Sequence, residues 1–342
     1  MRSSTAGLAV LLLGIAAAPA TARAQTTTPL HSADRVRLAE GRRLAARICD
    51  RLWPGWGRTA FQLLLVNDSA EYLVDNQRSA DSFTRLGYDA LLRADVWTRP
   101  RRFPPTLLAT FPAVGGLPTV VIGSAERTGK SSTAWVLTLL HEHFHQWQYS
   151  QPGYTDGVLH LDLARGDTTG QWMLNYPFPY DSAPVQRAVR HLATTLANAL
   201  EARPEARARA LEAVSDDRAA LRKLLTAADY RYLEFQLWQE GVARFIEYAA
   251  GQAAAETEPS PDFRRLPDYQ PYREVSDSAL RALRNELATL DLAQRRRVAF
   301  YPIGAAWALL LDQARPDWKQ AYARQPFTLP DLRSGRRRFT PE

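Results

Sequence analysis

The chain has 342 residues, with 43 Lys and Arg against 36 Asp and Glu, which gives a formal net charge of +7. Its basic residues are interleaved with acidic ones rather than gathered in one stripe, so we expect no nucleic-acid partner. A single cysteine, Cys49, excludes an intramolecular disulfide.

The first 24 residues have the pattern of a secretory signal peptide. Arg2 supplies the positive start, residues 8–18 form the apolar run, and Ala22-Arg23-Ala24 matches the small-residue cleavage pattern. The run is shorter than the roughly 18 residues that span a bilayer. We therefore expect cleavage near Ala24 and a bacterial protein that is periplasmic or secreted and is not inserted in a membrane.

Residues 25–152 have a mixed α/β pattern. A helix is predicted over 32–52, with Ser32 as its cap. Short apolar runs predict strands at 61–66, 71–76 and 119–122, and the Pro- and Arg-rich residues 97–105 predict a loop. A second helix, over 133–149 with Ser131 or Ser132 as its cap, is apolar on more than one side and should be mostly buried.

Residues 153–342 have a mainly helical pattern. A Gly-, Pro- and aromatic-rich stretch over 153–183 predicts a long ordered loop. Helices are predicted after it at 184–201, 204–225, 228–250, 276–296 and 302–315. The expected fold class is α+β, with a small N-terminal sheet packed against helix 133–149 and a mainly helical C-terminal half.

Residues 141–145 read His-Glu-His-Phe-His and satisfy the pattern H-E-x-x-H. His141 and His145 lie one helical turn apart on one face, so both imidazoles can reach the same metal ion. Glu142 lies beside them and can take a proton from a metal-bound water. His143 points away and is expected to pack. The alternative, a buried helix without metal, would leave Glu142 unpaired at high cost.

This motif resembles that of the zincin metallopeptidases, which differ in their third metal ligand. The metzincin pattern requires Gly and His where this chain has Gln148 and Gln151, and no Glu occurs between His145 and Glu201 for a thermolysin-like ligand. Residues 240–247 resemble the E-G-x-A-x-x-x-E helix of gluzincins. The resemblance implies a zincin-like domain, one Zn²⁺ ion held by His141, His145 and Glu240, and a peptide or protein substrate.

The residues around Glu240 suit this role. Gly241 and Ala243 are small, which predicts a close approach of their helix to the histidine helix. Glu247 returns to the same face and is predicted to orient a ligand histidine. Alternatively, Glu240 and Glu247 are solvated helix charges, with Arg244 paired to Glu240. In that case the remaining candidate ligands are Asp162, Asp167, His160 and His191.

Three weaker signals complete the interpretation. Tyr301 could donate to an oxyanion, or pack at the start of a helix. The aromatic residues of 172–180 could line a cleft or cover the core. Residues 123–131 resemble a phosphate-binding loop, but five residues separate the two glycines where the pattern requires four, so we reject it.

The predicted function is a secreted zinc metallopeptidase in which Glu142 activates a zinc-bound water. Two alternatives stay open. One is a zinc-dependent hydrolase of a non-protein amide, such as cell-wall material. The other is a zincin-like binding protein without turnover.

Overall fold

A computed structural model describes residues 29–74 and 82–333. The predicted signal peptide, with its cleavage site near Ala24, lies outside the described residues. The fold is mixed α+β and mostly helical, with one six-stranded sheet. No helix in the described part of the chain combines the length and the apolar character needed to cross a membrane.

The strands are β1 (Leu63–Val66), β2 (Ala70–Val74), β3 (Thr84–Asp89), β4 (Ala94–Pro100), β5 (Leu108–Val114) and β6 (Leu117–Gly123). The α-helices are α1 (Ser32–Leu52), α2 (Ala125–Thr128), α3 (Ser132–Tyr149), α4 (Tyr154–His160), α5 (Trp172–Asn175), α6 (Ala183–Leu200), α7 (Pro204–Arg222), α8 (Ala227–Gln236), α9 (Val242–Ala254), α10 (Pro261–Arg264), α11 (Tyr272–Ala288), α12 (Leu292–Arg295), α13 (Phe300–Ala314) and α14 (Trp318–Arg324). A π-helical segment, Leu237–Gly241, joins α8 to α9, and 3-10 turns occupy Trp56–Arg58 and Arg296–Ala299.

The sheet has the strand order β3-β4-β2-β1-β6-β5. Only β1 and β6 are parallel; the other neighbours are antiparallel. β1 is buried along its whole length because the sheet is covered on both faces. α3 packs on one face, and a smaller apolar cluster around Leu64, Leu73 and Val121 lies on the other.

The structure confirms the predicted strands near 61–66 and 119–122, and the predicted strand 71–76 as far as residue 74, beyond which it leaves the described residues. The predicted loop 97–105 is wrong for residues 97–100, because these pair with β2 as part of β4. β3 and β5 were not predicted. Both are edge strands with few buried residues, and their sequences lack a clear apolar alternation.

The predicted helices 32–52, 133–149, 184–201, 204–225 and 302–315 are confirmed as α1, α3, α6, α7 and α13, with bounds that differ by at most three residues. The predicted helix 228–250 is confirmed as part of the run formed by α8, the π segment and α9. Ser131 caps α3, since its side chain accepts a hydrogen bond from the Ala134 N–H. Ser32 is the first residue of α1 and not its cap. The predicted helix 276–296 is broken after α11, where Asp291 caps the separate short helix α12. The predicted loop 153–183 contains the short helices α4 and α5.

α3 lies at the centre of the molecule. It contacts β5 and β6 on one side and α1, α4, α9 and α11 elsewhere. Nearly all of its residues are buried, as its apolar sequence predicts. This position places residues 141–145 between the sheet and the helical part of the chain.

Candidate metal centre

α3 brings the two histidines of the motif together. The Nε2 atoms of His141 and His145 lie 3.2 Å apart, and the rings are nearly perpendicular, with an interplanar angle of 76°. Both side chains are buried. This is the arrangement that a one-turn spacing produces when both rings turn toward a common point.

Glu240 reaches the same point from the helical half. Its Oε2 atom lies 3.6 Å from His145 Nε2 and 4.0 Å from His141 Nε2. Glu240 belongs to the π segment Leu237–Gly241, where an extra residue widens the turn; such segments often mark functional sites. Within the described ranges, these three residues form the only group of His, Cys, Asp or Glu side chains close enough to share a metal ion.

The outward-facing nitrogens of both rings meet acceptors. His141 Nδ1 lies 2.8 Å from Glu247 Oε1, and His145 Nδ1 lies 2.6 Å from Gln148 Oε1. The Gln148 acceptor favours hydrogen on His145 Nδ1, so Nε2 becomes the metal-facing donor once that ring loses its second proton. The Glu247 carboxylate faces His141 Nδ1 as an ion-pair contact rather than as an aligned hydrogen bond. Two such imidazoles and one carboxylate, with the rings held from behind, fit the donor set of a zinc site.

The carboxylates of the site are ionised in the metal-free protein. Burial acts to raise the pKa of Glu240, but the nearby His145, together with the charges of His141 and Arg297, lowers that pKa to about 2. Burial also acts to raise the pKa of Glu247, but the contact with His141 lowers that pKa to about 2. A metal ligand must be deprotonated, so Glu240 is already in its binding form.

Glu142 lies on the side of α3 that faces the sheet. Its side chain is buried, and its Oε2 atom lies 2.9 Å from the hydroxyl oxygen of Thr110 on β5. The same hydroxyl lies 2.8 Å from the Glu142 backbone oxygen. Thr110 was missed by the sequence analysis, because nothing in the pattern of residues 97–118 predicts that β5 crosses the histidine helix.

Tyr301 lies at the edge of the candidate metal centre. Its phenol oxygen accepts a hydrogen bond of 2.8 Å from Arg297, and the same guanidinium lies 3.8 Å from Glu240 Oε1. Burial, followed by the charge of Glu240, raises the pKa of Tyr301 well above its ordinary value. The phenol therefore keeps its proton and remains a hydrogen-bond donor.

A second phenol was also missed by the sequence analysis. Tyr149 follows His145 by one turn of α3. Burial and the charges of Glu240 and Glu142 raise its pKa to about 12. The helical spacing of residues 141, 145 and 149 could have indicated that Tyr149 lies on the same face of α3 as the two histidines.

His143 faces away from the other two histidines. Its ring stacks on Phe61 at a centroid distance of 3.9 Å, and its Nδ1 atom contacts Gln146. Burial lowers its pKa to about 4. These contacts agree with a packing role.

The alternative ligands lie elsewhere. His160 contacts the backbone of its own helix, His191 lies 3.3 Å from Asp217, and Asp167 accepts from residues 169 and 172. Among the described residues, neither these nor Asp162 belongs to the group whose side chains are close enough to share a metal ion. Arg244, the alternative partner of Glu240, contacts Glu286 instead.

Two other predictions can be compared with the structure. The expected close approach of the helix of Gly241 and Ala243 to the histidine helix is confirmed, because α9 packs against α3. Gly241 itself faces α13, where an added methyl group would lie 2.4 Å from Gly304 Cα. The aromatic residues of 172–180 cover the core: Tyr176 and Phe178 are buried against Tyr232 of α8.

Comparison of the chain with protein-family models, curated proteins and solved structures found no match.

Proposed function

We propose that this protein is a zinc metallopeptidase with a zincin-like domain, and that Glu142 is its general base. The observation that carries the proposal is the convergence of His141, His145 and Glu240 on one point, with the Glu142 carboxylate on the next residue of the same helix. Each imidazole also has a polar partner at Nδ1, as metal-binding histidines almost always do.

One Zn²⁺ ion would be held by His141 Nε2, His145 Nε2 and Glu240. Bound there, zinc supplies Lewis acidity and lowers the pKa of a coordinated water to about 7. Glu247 and Gln148 keep the two imidazoles turned toward the ion, and the ionised Glu240 offsets its charge.

The protein groups supply the proton transfers. Glu142 accepts a proton as water adds to the carbonyl carbon of the substrate, and returns it to the amine as the carbon–nitrogen bond breaks. Tyr301, whose phenol stays protonated, donates a hydrogen bond to the oxygen on which negative charge develops. Arg297 holds that phenol in place.

The sheet edge favours a peptide over another amide. β5 is an edge strand, and Leu107, the residue just before it, accepts a hydrogen bond from the Gly123 N–H of β6. Hydrogen-bonding directions alternate along a strand, so the N–H and C=O of Thr110 face the free edge. An extended peptide can add to such an edge, and there its main chain would lie beside Glu142.

Export is part of the same proposal and rests on the sequence of the first 24 residues. The pattern of a positive start, an apolar run and a small-residue cleavage site supports a periplasmic or secreted enzyme.

The test compares wild type with Glu142→Gln on a mixed peptide library, with zinc content measured for both. Glu212→Gln, an exposed change on α7, is the matched control. We expect one zinc per chain in all three proteins, and hydrolysis reduced by about 10²–10⁴-fold in Glu142→Gln alone. Equal activity of wild type and Glu142→Gln, or a wild-type protein that binds no zinc, contradicts the proposal.

The same assay separates the alternatives. Release of fragments from cell-wall material, without cleavage of any peptide in the library, would favour the hydrolase of a non-protein amide. Zinc and peptide binding without product would favour the binding protein.

A further inference from the structure

The hydroxyl of Thr110 joins the edge strand to the helix of the candidate metal centre. It lies 2.9 Å from Glu142 Oε2 and 2.8 Å from the Glu142 backbone oxygen, across 32 positions of sequence. A threonine hydroxyl has one hydrogen to donate. Only one of the two acceptors can therefore receive it at a time.

Of the two acceptors, the Glu142 carboxylate is the one that depends on the Thr110 hydroxyl for a hydrogen bond. In α3 the carbonyl of residue 142 already accepts from the N–H of residue 146. The Glu142 side chain is only 5% exposed, and no other hydrogen-bond donor to it is found in residues 29–74 and 82–333. The backbone oxygen therefore already has a donor, whereas the side chain depends on Thr110, which directs the hydroxyl to Oε2.

We propose that Thr110 is a positioning residue that fixes the carboxylate of Glu142 in its working orientation. This inference rests on the proposed function. A glutamate side chain has three rotatable bonds, and a misplacement of about 1 Å in a catalytic geometry can cost about 10²-fold in rate. The hydrogen bond from Thr110 restricts these rotations of the Glu142 side chain.

The main chain of Thr110 suits a second role, which is to pair with an extended substrate. Its N–H and C=O face the free edge of β5, where an extended substrate would pair, while its side chain holds Glu142. The base and the substrate strand are thus anchored to the same residue.

The first experiment compares Thr110→Val with Thr110→Ser in the full chain. Valine keeps the shape and removes the hydroxyl, whereas serine keeps the hydroxyl. We expect kcat to fall about 10–100-fold in Thr110→Val, with KM within about twofold, and serine to restore at least a third of kcat. Thr84→Val, the same change on the opposite, exposed edge strand β3, is the matched control.

Zinc affinity and stability supply readouts besides activity. Thr110 is not a ligand, so Thr110→Val should bind zinc as tightly as wild type in competition with a chelator. In the metal-free protein, the urea midpoints of Thr110→Val, Glu142→Ala and their double variant should be non-additive, because the two side chains are in contact. Should Thr110→Val fail to fold, Thr110→Ala takes its place.

The decisive experiment repeats the Thr110→Val change in Glu142→Gln. If Thr110 acts through Glu142, its loss should change the residual rate by less than twofold in that background. An equal loss of rate in both backgrounds, or an unchanged kcat in Thr110→Val, overturns the inference and leaves the proposed function intact. If Glu142→Gln is as active as wild type, the proposed function fails and the inference falls with it.

Discussion

The two ligand histidines of the proposed zinc site are held from behind by different groups. Glu247 contacts His141 and is charged, whereas Gln148 contacts His145 and is neutral. A carboxylate behind an imidazole raises the basicity of the ring, and its loss costs about 10–100-fold in metal affinity. We therefore expect the charge at residue 247 to make a separate contribution to zinc binding at the proposed site.

We predict that Glu247→Gln weakens zinc binding by about 10–100-fold. The amide keeps an acceptor near His141 Nδ1 but loses the negative charge. Competition with a chelator of known affinity gives the measurement. Glu256→Gln, which removes an exposed carboxylate paired with Arg51, is the control. Equal zinc affinities for Glu247→Gln and wild type would show that this carboxylate does not support the site.

At the scale of elements, the π segment is held against α13 by two glycines. A methyl group on Gly241 would lie 2.4 Å from Gly304 Cα, and one on Gly304 would lie 2.7 Å from Gly241 Cα. Both contacts are with backbone, which cannot move aside cheaply. Because Gly241 follows Glu240 directly, this contact also fixes the position of the proposed third ligand.

We predict that Gly241→Ala lowers the free energy of unfolding by about 1–3 kcal/mol through overpacking and also weakens zinc binding. Urea unfolding and chelator competition measure the two effects. Gly41→Ala is the matched control, because its added methyl meets only the flexible end of Leu139, and helix propensity favours alanine by about 0.5–1 kcal/mol. If both variants unfold at the same urea concentration, the glycine contact does not constrain α13.

Elements with strong local signals were predicted well from the sequence. α3 has a serine cap and an apolar surface on several sides, and the spacing of His141 and His145 follows from helical geometry alone. The buried strands β1 and β6 have continuous apolar sequences. Glu240 was identified from a short pattern, and the structure places it beside the histidines.

Elements that depend on distant contacts were not predicted. β5 is half-exposed and contains Pro112, so its sequence does not resemble that of a central strand. The partner that defines it is β6, and Thr110 was missed with it. The π segment adds one residue to an otherwise regular helical pattern, a change that periodicity over 227–254 does not reveal. The position of Gly241 depends on α13, more than 60 residues away.

At the scale of the whole molecule, one main core connects the two predicted parts of the chain. Its buried apolar residues run from Leu30 to Leu332, and α9 packs against both α1 and α3. The division predicted after residue 152 therefore does not coincide with a gap in the core. The proposed zinc ligands follow the same pattern, two from α3 and one from the π segment.

A ligand that binds only the folded state stabilises it by mass action. Because the proposed ion would join α3 to the π segment, we predict that zinc at 1,000 times its dissociation constant stabilises the protein by about 4 kcal/mol. A chelator should lower the midpoint of thermal unfolding, and added zinc should restore it. The expected stabilisation follows from zinc binding to the folded state alone and requires no change of fold.

His145→Ala distinguishes this effect from a general action of zinc on the protein. It removes one of the three proposed ligands, so its unfolding midpoint should respond little to zinc or chelator. His191→Ala, which alters an exposed histidine on α6, should respond as wild type does. A zinc-dependent rise of the same size in His145→Ala would place the bound ion elsewhere on the molecule.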